Sequence, residues 1–320
     1  MRRVLILGGT KWLGERIVRR LLAAGDEVTC LARARSGGVP PGARLVAADR
    51  TEAGAYDGLD GDWDEVVELA YAPAVVGSAL DALAEKAAHW TLVSTVSVYE
   101  RNDEPEADES ADLVQPVDLA DYAQAKVAAE RASSGRLGER LLIVRPGLIA
   151  GPGDPSDRFG YWPARLQRGG EVLTQQTPGR YVQVIDVDDL AEFIEAAGRR
   201  GALGVMNAVG HSVALAEFLR LTSDVTGFGG RLVPADDDWL VAHDVQFWMG
   251  ERSLPLWLPA SEIGFARRSN AAYLAAGGAV RPLVATIARV LHDEVARGLE
   301  RPRRSGLTGQ EERQLLAQLA

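Results

Sequence analysis

Cysteine is all but missing from this 320-residue chain: Cys30 stands alone, so no internal disulfide and no cysteine metal cluster can form. It lies in the apolar run EVTCLA, the setting of a buried structural thiol. Histidine is nearly as scarce. His89, His211, His243 and His292 show no paired ligand spacing, so no metal is expected. Long apolar runs are lacking too, and no window of eighteen uninterrupted apolar residues offers a membrane span. The stretch after Met1-Arg2-Arg3 ends within a few residues at Gly8, too early for an export signal, so a cytoplasmic location is expected. Basic charge is in deficit. A formal charge of −10 and a pI near 5.1 argue against binding nucleic acid through its phosphates. The Arg297, Arg301, Arg303 and Arg304 cluster reads as a solvated helix end.

What is there is an ordinary globular composition, 47% hydrophobic and 25% charged, with no low-complexity tract or internal repeat. The first half alternates short apolar runs with helix-period segments: strands at 3–7, 27–32, 44–48, 64–70 and 89–95, helices at 12–24, 74–88 and 118–134, and a further strand in ERLLIVRP ending at Pro146. That rhythm predicts an α/β fold, a doubly wound parallel sheet with helices on both faces. The texture changes at GPGDPSDRFGYW, which sets a border near residue 153. A nucleotide-binding domain over 1–153 is expected, with 178–208 rejoining its sheet through a strand, an acidic cap (Asp186, Asp188, Asp189) and a helix. Residues 154–320 are expected to form a smaller, mostly helical substrate lobe.

The chemistry starts at LGGTKWLG, between the first strand and the first helix. In a Rossmann first turn, glycines let the backbone bend tightly, approach a pyrophosphate and pack helix on strand, while the helix N-terminus adds about half a positive charge. Gly8, Gly9 and Gly14 meet that need, and the whole loop (Thr10, Lys11, Trp12 and Leu13 included) is assigned to the cofactor. The acid that grips a ribose hydroxyl belongs at the end of the second strand. Ala32 stands there instead, followed by Arg33 and Arg35, which suit a 2′-phosphate and favour NADP(H) over NAD(H). Lys11, one of only three lysines against 32 arginines, is expected to reach the same phosphate.

Further on, DYAQAKVAAE places Tyr122 and Lys126 four apart on one helical face. An ammonium at about 6 Å in an effective dielectric of about 20 would stabilise a phenolate by roughly 3 kcal/mol, about two pKa units. Tyr122 is thereby expected to exchange a proton with a carbonyl and alcohol pair. Upstream, WTLVSTVSVYE ends a strand with Ser94, Thr95 and Ser97 at the sheet's ligand-binding edge.

With GGTKWLG, STVSVY, YAQAK and RPGLIAGPGDP in order, the chain resembles the extended short-chain dehydrogenase/reductases of the NAD(P)-dependent epimerase/dehydratase type. The resemblance spans nearly the whole chain. It implies a catalytic hydroxyl at Thr95, an acid/base at Tyr122 and a ribose-binding Lys126. It also implies cofactor contacts from Asp49, Ala70, Tyr71 and Pro146, and a homodimer formed through a helix bundle that includes the tyrosine helix. Two departures stand out. Lys11 replaces the middle glycine of GxxGxxG, as in a side branch with GGT-(Arg/Lys)-aromatic loops that includes bacterial reductases and chloroplast RNA-associated relatives. Leu148 stands where relatives acting on nucleotide sugars usually carry asparagine.

Substrate contacts are expected from Tyr99, Leu148, Arg158, Tyr161 and Trp162, the last three mixing aromatic faces with positive charge. Arg281 resembles a family position that reaches substrate phosphates. The reading is an NADP(H)-dependent oxidoreductase acting on the carbonyl or alcohol of a small polar or ring-containing metabolite. Its rivals are a redox-neutral epimerase or dehydratase on a sugar and a non-catalytic nucleotide- or RNA-binding protein.

Overall fold

The computed structural model describes residues 1–35 and 37–319. Its first half runs β1 (Arg3–Leu7), α1 (Trp12–Ala23), β2 (Glu27–Ala32), β3 (Arg44–Ala47), β4 (Glu65–Glu68), α2 (Pro73–Leu83), β5 (Trp90–Val93), α3 (Tyr122–Leu137) and β6 (Leu141–Pro146). Then follow β7 (Leu148–Ala150), α4 (Arg158–Gln167), β8 (Glu171–Gln175), β9 (Tyr181–Asp186), α5 (Val187–Arg200) and β10 (Gly204–Ala208). The remainder comprises β11 (Ser212–Ala214), α6 (Leu215–Thr226), β12 (Arg231–Ala235), α7 (Asp237–Ala242), β13 (Gln246–Trp248), β14 (Ser253–Pro255), α8 (Ala271–Ala275), α9 (Leu283–Arg297) and α10 (Gly309–Leu319).

Seven parallel strands form one sheet in the order β10-β6-β5-β4-β1-β2-β3. The period of two along β1 explains its place at the centre. Val4 and Ile6 join a core under α1 and α5, while Leu5 and Leu7 join another under α2 and α3. Chain order reverses between β1 and β4, so the loops after these two strands diverge and leave a crevice at the carboxyl edge.

The segment from 178 to 208 divides its duties. β9 pairs with β7 and β11 in a separate three-stranded sheet, whereas α5 packs on α1 and β10 joins the large sheet beside β6. Residues 211–320 contain more strand than periodicity suggests, because β11, β13 and β14 are three residues each, too short to display an alternation. The predicted helix at 118–134 starts late. Asp121 caps it, accepting a hydrogen bond from Gln124 N at 2.9 Å, which puts Tyr122 in the first turn.

At the opposite edge of the sheet lies a buried charge. Glu65 is fully enclosed, accepting from Thr91 Oγ1 at 2.8 Å and from Arg2 at 3.1 Å. His89 Nε2 donates to Ala202 O at 2.8 Å, which turns Nδ1 toward Glu65 at 3.6 Å. Burial disfavours a charged ring, but the Glu65 carboxylate and the Ala202 carbonyl together hold the His89 pKa above its ordinary value. Its contribution to stability is therefore complete below about pH 6.5, the unfolded value, and is lost as pH rises through the higher folded one. Denaturation of the wild type and of His89→Gln between pH 5.5 and 9 should show a stability gap that narrows as pH rises. A constant gap would contradict the assignment.

Candidate active site

A cavity of about 400 Å³ opens at the carboxyl edge, lined by the loops after β1, β2, β3 and β4. Gly8, Gly9, Thr10 and Lys11 form its floor, Arg33, Arg35 and Asp49 one end, and Ala70 and Tyr71 the other. Gly9 has φ +92°, and a Cβ there would lie 2.7 Å from Cys30 Sγ. At Gly14 a Cβ would come within 2.7 Å of the Gly9 Cα, so only glycine lets α1 close on the loop. No side chain caps α1, which leaves its first amide donors for an anion in front of them. Size, shape and donors all fit a dinucleotide.

Lys11 lines the cavity at the cap position of α1. Trp12 and Leu13 do not line it. The Trp12 indole turns outward and donates from Nε1 to Pro152 O at 2.8 Å, a carbonyl that Arg16 also reaches at 3.0 Å. Leu13 packs on the core beneath α1. The aromatic of the GGTKW loop thus ties α1 to the segment leading into the second lobe. Pro146 is buried at the end of β6, away from the cavity.

At the end of the cavity formed by the loops after β2 and β3, Arg33 and Arg35 each stand 3.9 Å from Asp49 Oδ2 and are largely exposed. Such long, solvated pairs are weak. The side chain and amide of Thr51, together with the two guanidinium charges, hold the Asp49 pKa below the usual carboxylate range. Two cations against one carboxylate leave a net positive charge at this end of the cavity. Sequence reasoning passed over Arg50, which also lines this wall. It is fixed by a two-pronged ion pair with Glu68 and by donation to Tyr56 Oη at 3.1 Å and Val75 O at 2.9 Å. Only the charge pair between the loop after β3 and the end of β4 reveals it, and pairing between segments apart in sequence is not a local signal.

The other end of the cavity meets Thr95, Tyr122 and Lys126. Tyr71 packs edge-on against Tyr122 at 5.4 Å, and Lys126 Nζ donates to Ala70 O at 3.1 Å and Val93 O at 2.6 Å. Those carbonyls mark the ends of β4 and β5, so the buried ammonium clamps α3 onto the sheet. Desolvation lowers the Lys126 pKa to about 8, against the opposing charges of Glu68 and Glu130. The expected lowering of the Tyr122 pKa is corrected. Desolvation raises it above the ordinary phenol value, opposed by the Thr95 hydroxyl and the Arg158 charge, while Lys126 points its charge at the two carbonyls instead. Of the three hydroxyls after β5, Thr95 is the one that acts on Tyr122.

Several expected substrate contacts lie elsewhere. Tyr161 and Trp162 are enclosed in the core of the second lobe, where Trp162 Nε1 donates to Pro255 O at 2.8 Å. Tyr99 is buried too, donating to Asn207 Oδ1 at 2.6 Å and accepting from Arg145 at 3.0 Å. Leu148 packs in the core of the second lobe. Arg281 is engaged with Asp189, at 2.8 Å from Nε, and lies 3.5 Å from Asp186. Arg158 alone of this group brings its charge to Tyr122. Among the described residues no group of three or more His, Cys, Asp or Glu side chains is placed to hold a metal, and no helix is long and apolar enough to cross a membrane.

A parallel sheet with this strand order, a glycine loop opening α1 and a Tyr-x-x-x-Lys helix beside a Thr-bearing strand end define an NAD(P)-dependent enzyme of the short-chain dehydrogenase/reductase type. Residues 76–208 match the model of the NAD dependent epimerase/dehydratase family. It is similar to dTDP-6-deoxy-L-talose 4-dehydrogenase (NAD(P)(+)) of Kitasatospora kifunensis, 28% identical over 295 residues, 79% of this chain and 92% of the relative. Human epimerase family protein SDR39U1 is also 28% identical, over 247 residues, 70% of this chain and 80% of that protein. Among solved structures, UDP-glucose 4-epimerase of Thermus thermophilus in complex with NAD shares the fold with a TM-score of 0.65 at 20% identity, covering 91% of this chain and 98% of the other.

Gly9→Ala should cost about 1–3 kcal/mol of stability, from backbone strain and the collision with Cys30, and should weaken dinucleotide binding at least tenfold. Thermal melts and a fluorescence titration with NADPH measure the two effects; unchanged affinity would contradict the close-approach account.

Proposed function

We propose that the protein is an NADP(H)-preferring oxidoreductase that reduces the carbonyl of a small polar or ring-containing metabolite. The observation that carries this reading is the meeting of Thr95, Tyr122 and Lys126 at one end of the dinucleotide cavity. The nicotinamide, when bound, supplies the hydride. Tyr122, whose raised pKa keeps its phenol protonated at neutral pH, gives its proton to the carbonyl oxygen. Thr95 holds that oxygen with its hydroxyl. Lys126 spends two of its three N–H donors on Ala70 and Val93, and the third is available to the nicotinamide ribose. Arg33, Arg35 and Lys11 take the 2′-phosphate. We assign residues 154–320 the role of substrate lobe, with β9, α5 and β10 shared as described. The family resemblance further supports a homodimer and a cytoplasmic location, and the net charge of −10 speaks against a nucleic-acid partner.

Tyr122→Phe should reduce turnover at least a hundredfold, about 2.7 kcal/mol in the barrier, with NADPH affinity nearly intact. Full activity in that variant would remove the proton donor from the scheme. Arg33→Asp should weaken NADPH binding about tenfold or more and NADH binding much less; equal losses for both nucleotides would refute the assignment of the phosphate site.

The second reading, a redox-neutral epimerase acting on a sugar, is favoured by the names of the similar proteins, which include epimerases and a dTDP-sugar dehydrogenase. Nucleotide retained through purification, with isomer formed and no cofactor added, would select it.

A further inference from the structure

Arg158 is the first residue of α4, the end at which the peptide dipoles already concentrate positive charge and where a cation is disfavoured. It is partly buried, and burial pushes its pKa below the usual arginine value. No carboxylate oxygen of the described residues lies within 4 Å of it, although the neighbouring arginines are engaged: Arg165 with Glu312, Arg297 and Arg301 with Asp157. Its one hydrogen-bonded side-chain partner is the Ser156 hydroxyl, 3.2 Å from Nε. Asp154, the carboxylate whose charge acts on it most, is committed to the Ser156 amide at 2.8 Å and hydroxyl at 2.9 Å. Among the described residues, its two terminal guanidinium nitrogens thus have no protein acceptor.

The surroundings are those of a ligand contact. The guanidinium carbon lies 5.4 Å from the centre of the Trp248 ring. Trp248 adopts φ +68°, a left-handed conformation that a bulky side chain rarely takes. It is held there by the hydrogen bond its amide N–H donates to Trp257 O at 3.0 Å and by edge-on contact with Phe265 at 5.4 Å. Strain of this kind persists where the surrounding structure imposes it, and it clusters at ligand clamps. The Arg158 charge also acts on the Tyr122 hydroxyl.

Resting on the reductase reading above, we propose that Arg158 binds a carboxylate of the substrate and so sets its reacting carbonyl at Tyr122. A planar guanidinium with two unspent nitrogens matches a carboxylate in a two-pronged pair. The anion supplies the direct ion pair that this partly desolvated cation lacks among the described residues. One positive charge, with Asp154 close by, balances a monoanion and not a dianionic phosphate. The substrate class is accordingly a keto acid or hydroxy acid, with its apolar part lying along Trp248.

The test is binding of oxamate, a carboxylate beside an unreactive carbonyl, to the NADPH-saturated protein, where the nucleotide occupies Arg33 and Arg35. Saturation-transfer NMR should detect saturable binding that Arg158→Met weakens at least tenfold and Arg158→Lys largely restores. Ethyl oxamate, the uncharged ester, should bind at least tenfold more weakly than oxamate. NADPH affinity and the thermal midpoint, measured on each variant, establish that it is folded. No oxamate binding, equal binding of the ester, tighter binding of methyl phosphate, or no loss in a folded Arg158→Met would each overturn the proposal. Failure of the reductase reading would show separately, as full turnover in Tyr122→Phe, because oxamate binding requires no chemistry.

Discussion

The molecule depends on one close approach, the contact of Gly14 with Gly9 at the point where α1 meets the end of β1. With Cβ atoms at these positions the helix could not close on the loop, and its amide donors would move away from the crevice. Cys30 fills the space beneath Gly9, where burial raises its thiol pKa to about 12 and leaves it inert. The one cysteine of the chain therefore serves as a small apolar support under the glycine loop.

A second constraint is the buried ammonium of Lys126. Spanning Ala70 O and Val93 O, it joins α3 to the ends of two strands and determines where the first turn of that helix stands. Tyr122, in that turn, keeps 46% of its surface exposed and is supported edge-on by Tyr71. The geometry separates two tasks that the spacing of the motif combines. Lys126 positions, while Thr95 and Arg158 provide the hydroxyl and the charge that act on the phenol.

Arginine dominates over lysine for a related reason. Much of the second lobe is fastened by pairs that must be satisfied in little water: Arg165 with Glu312, Arg281 with Asp189, Arg289 with Asp186 at 3.0 Å, and Arg301 and Arg303 with Glu294. A planar guanidinium loses less on leaving water than an ammonium and presents its donors in a fixed fork. In this setting an arginine without a carboxylate, such as Arg158, stands apart from the rest. Trp12 adds a mechanical link, because its hydrogen bond to Pro152 O connects the glycine loop to the segment that leads to Arg158.

The large sheet and the glycine loop were legible in the sequence because they rest on local signals: alternation along β1, glycines at a turn and a four-residue spacing on a helix. Local motifs likewise mark Thr95, Tyr122 and Lys126, and the residues Lys11, Arg33, Arg35 and Asp49 that line the cavity. Which way each side chain faces was decided by tertiary structure. Tyr99, Tyr161 and Trp162 have the composition of a binding surface, yet packing encloses them, and Arg281 meets a carboxylate 92 residues away in sequence. Charge and aromaticity are properties of a residue, but burial and pairing are properties of its neighbours, and those neighbours come from strands and helices far apart in the chain.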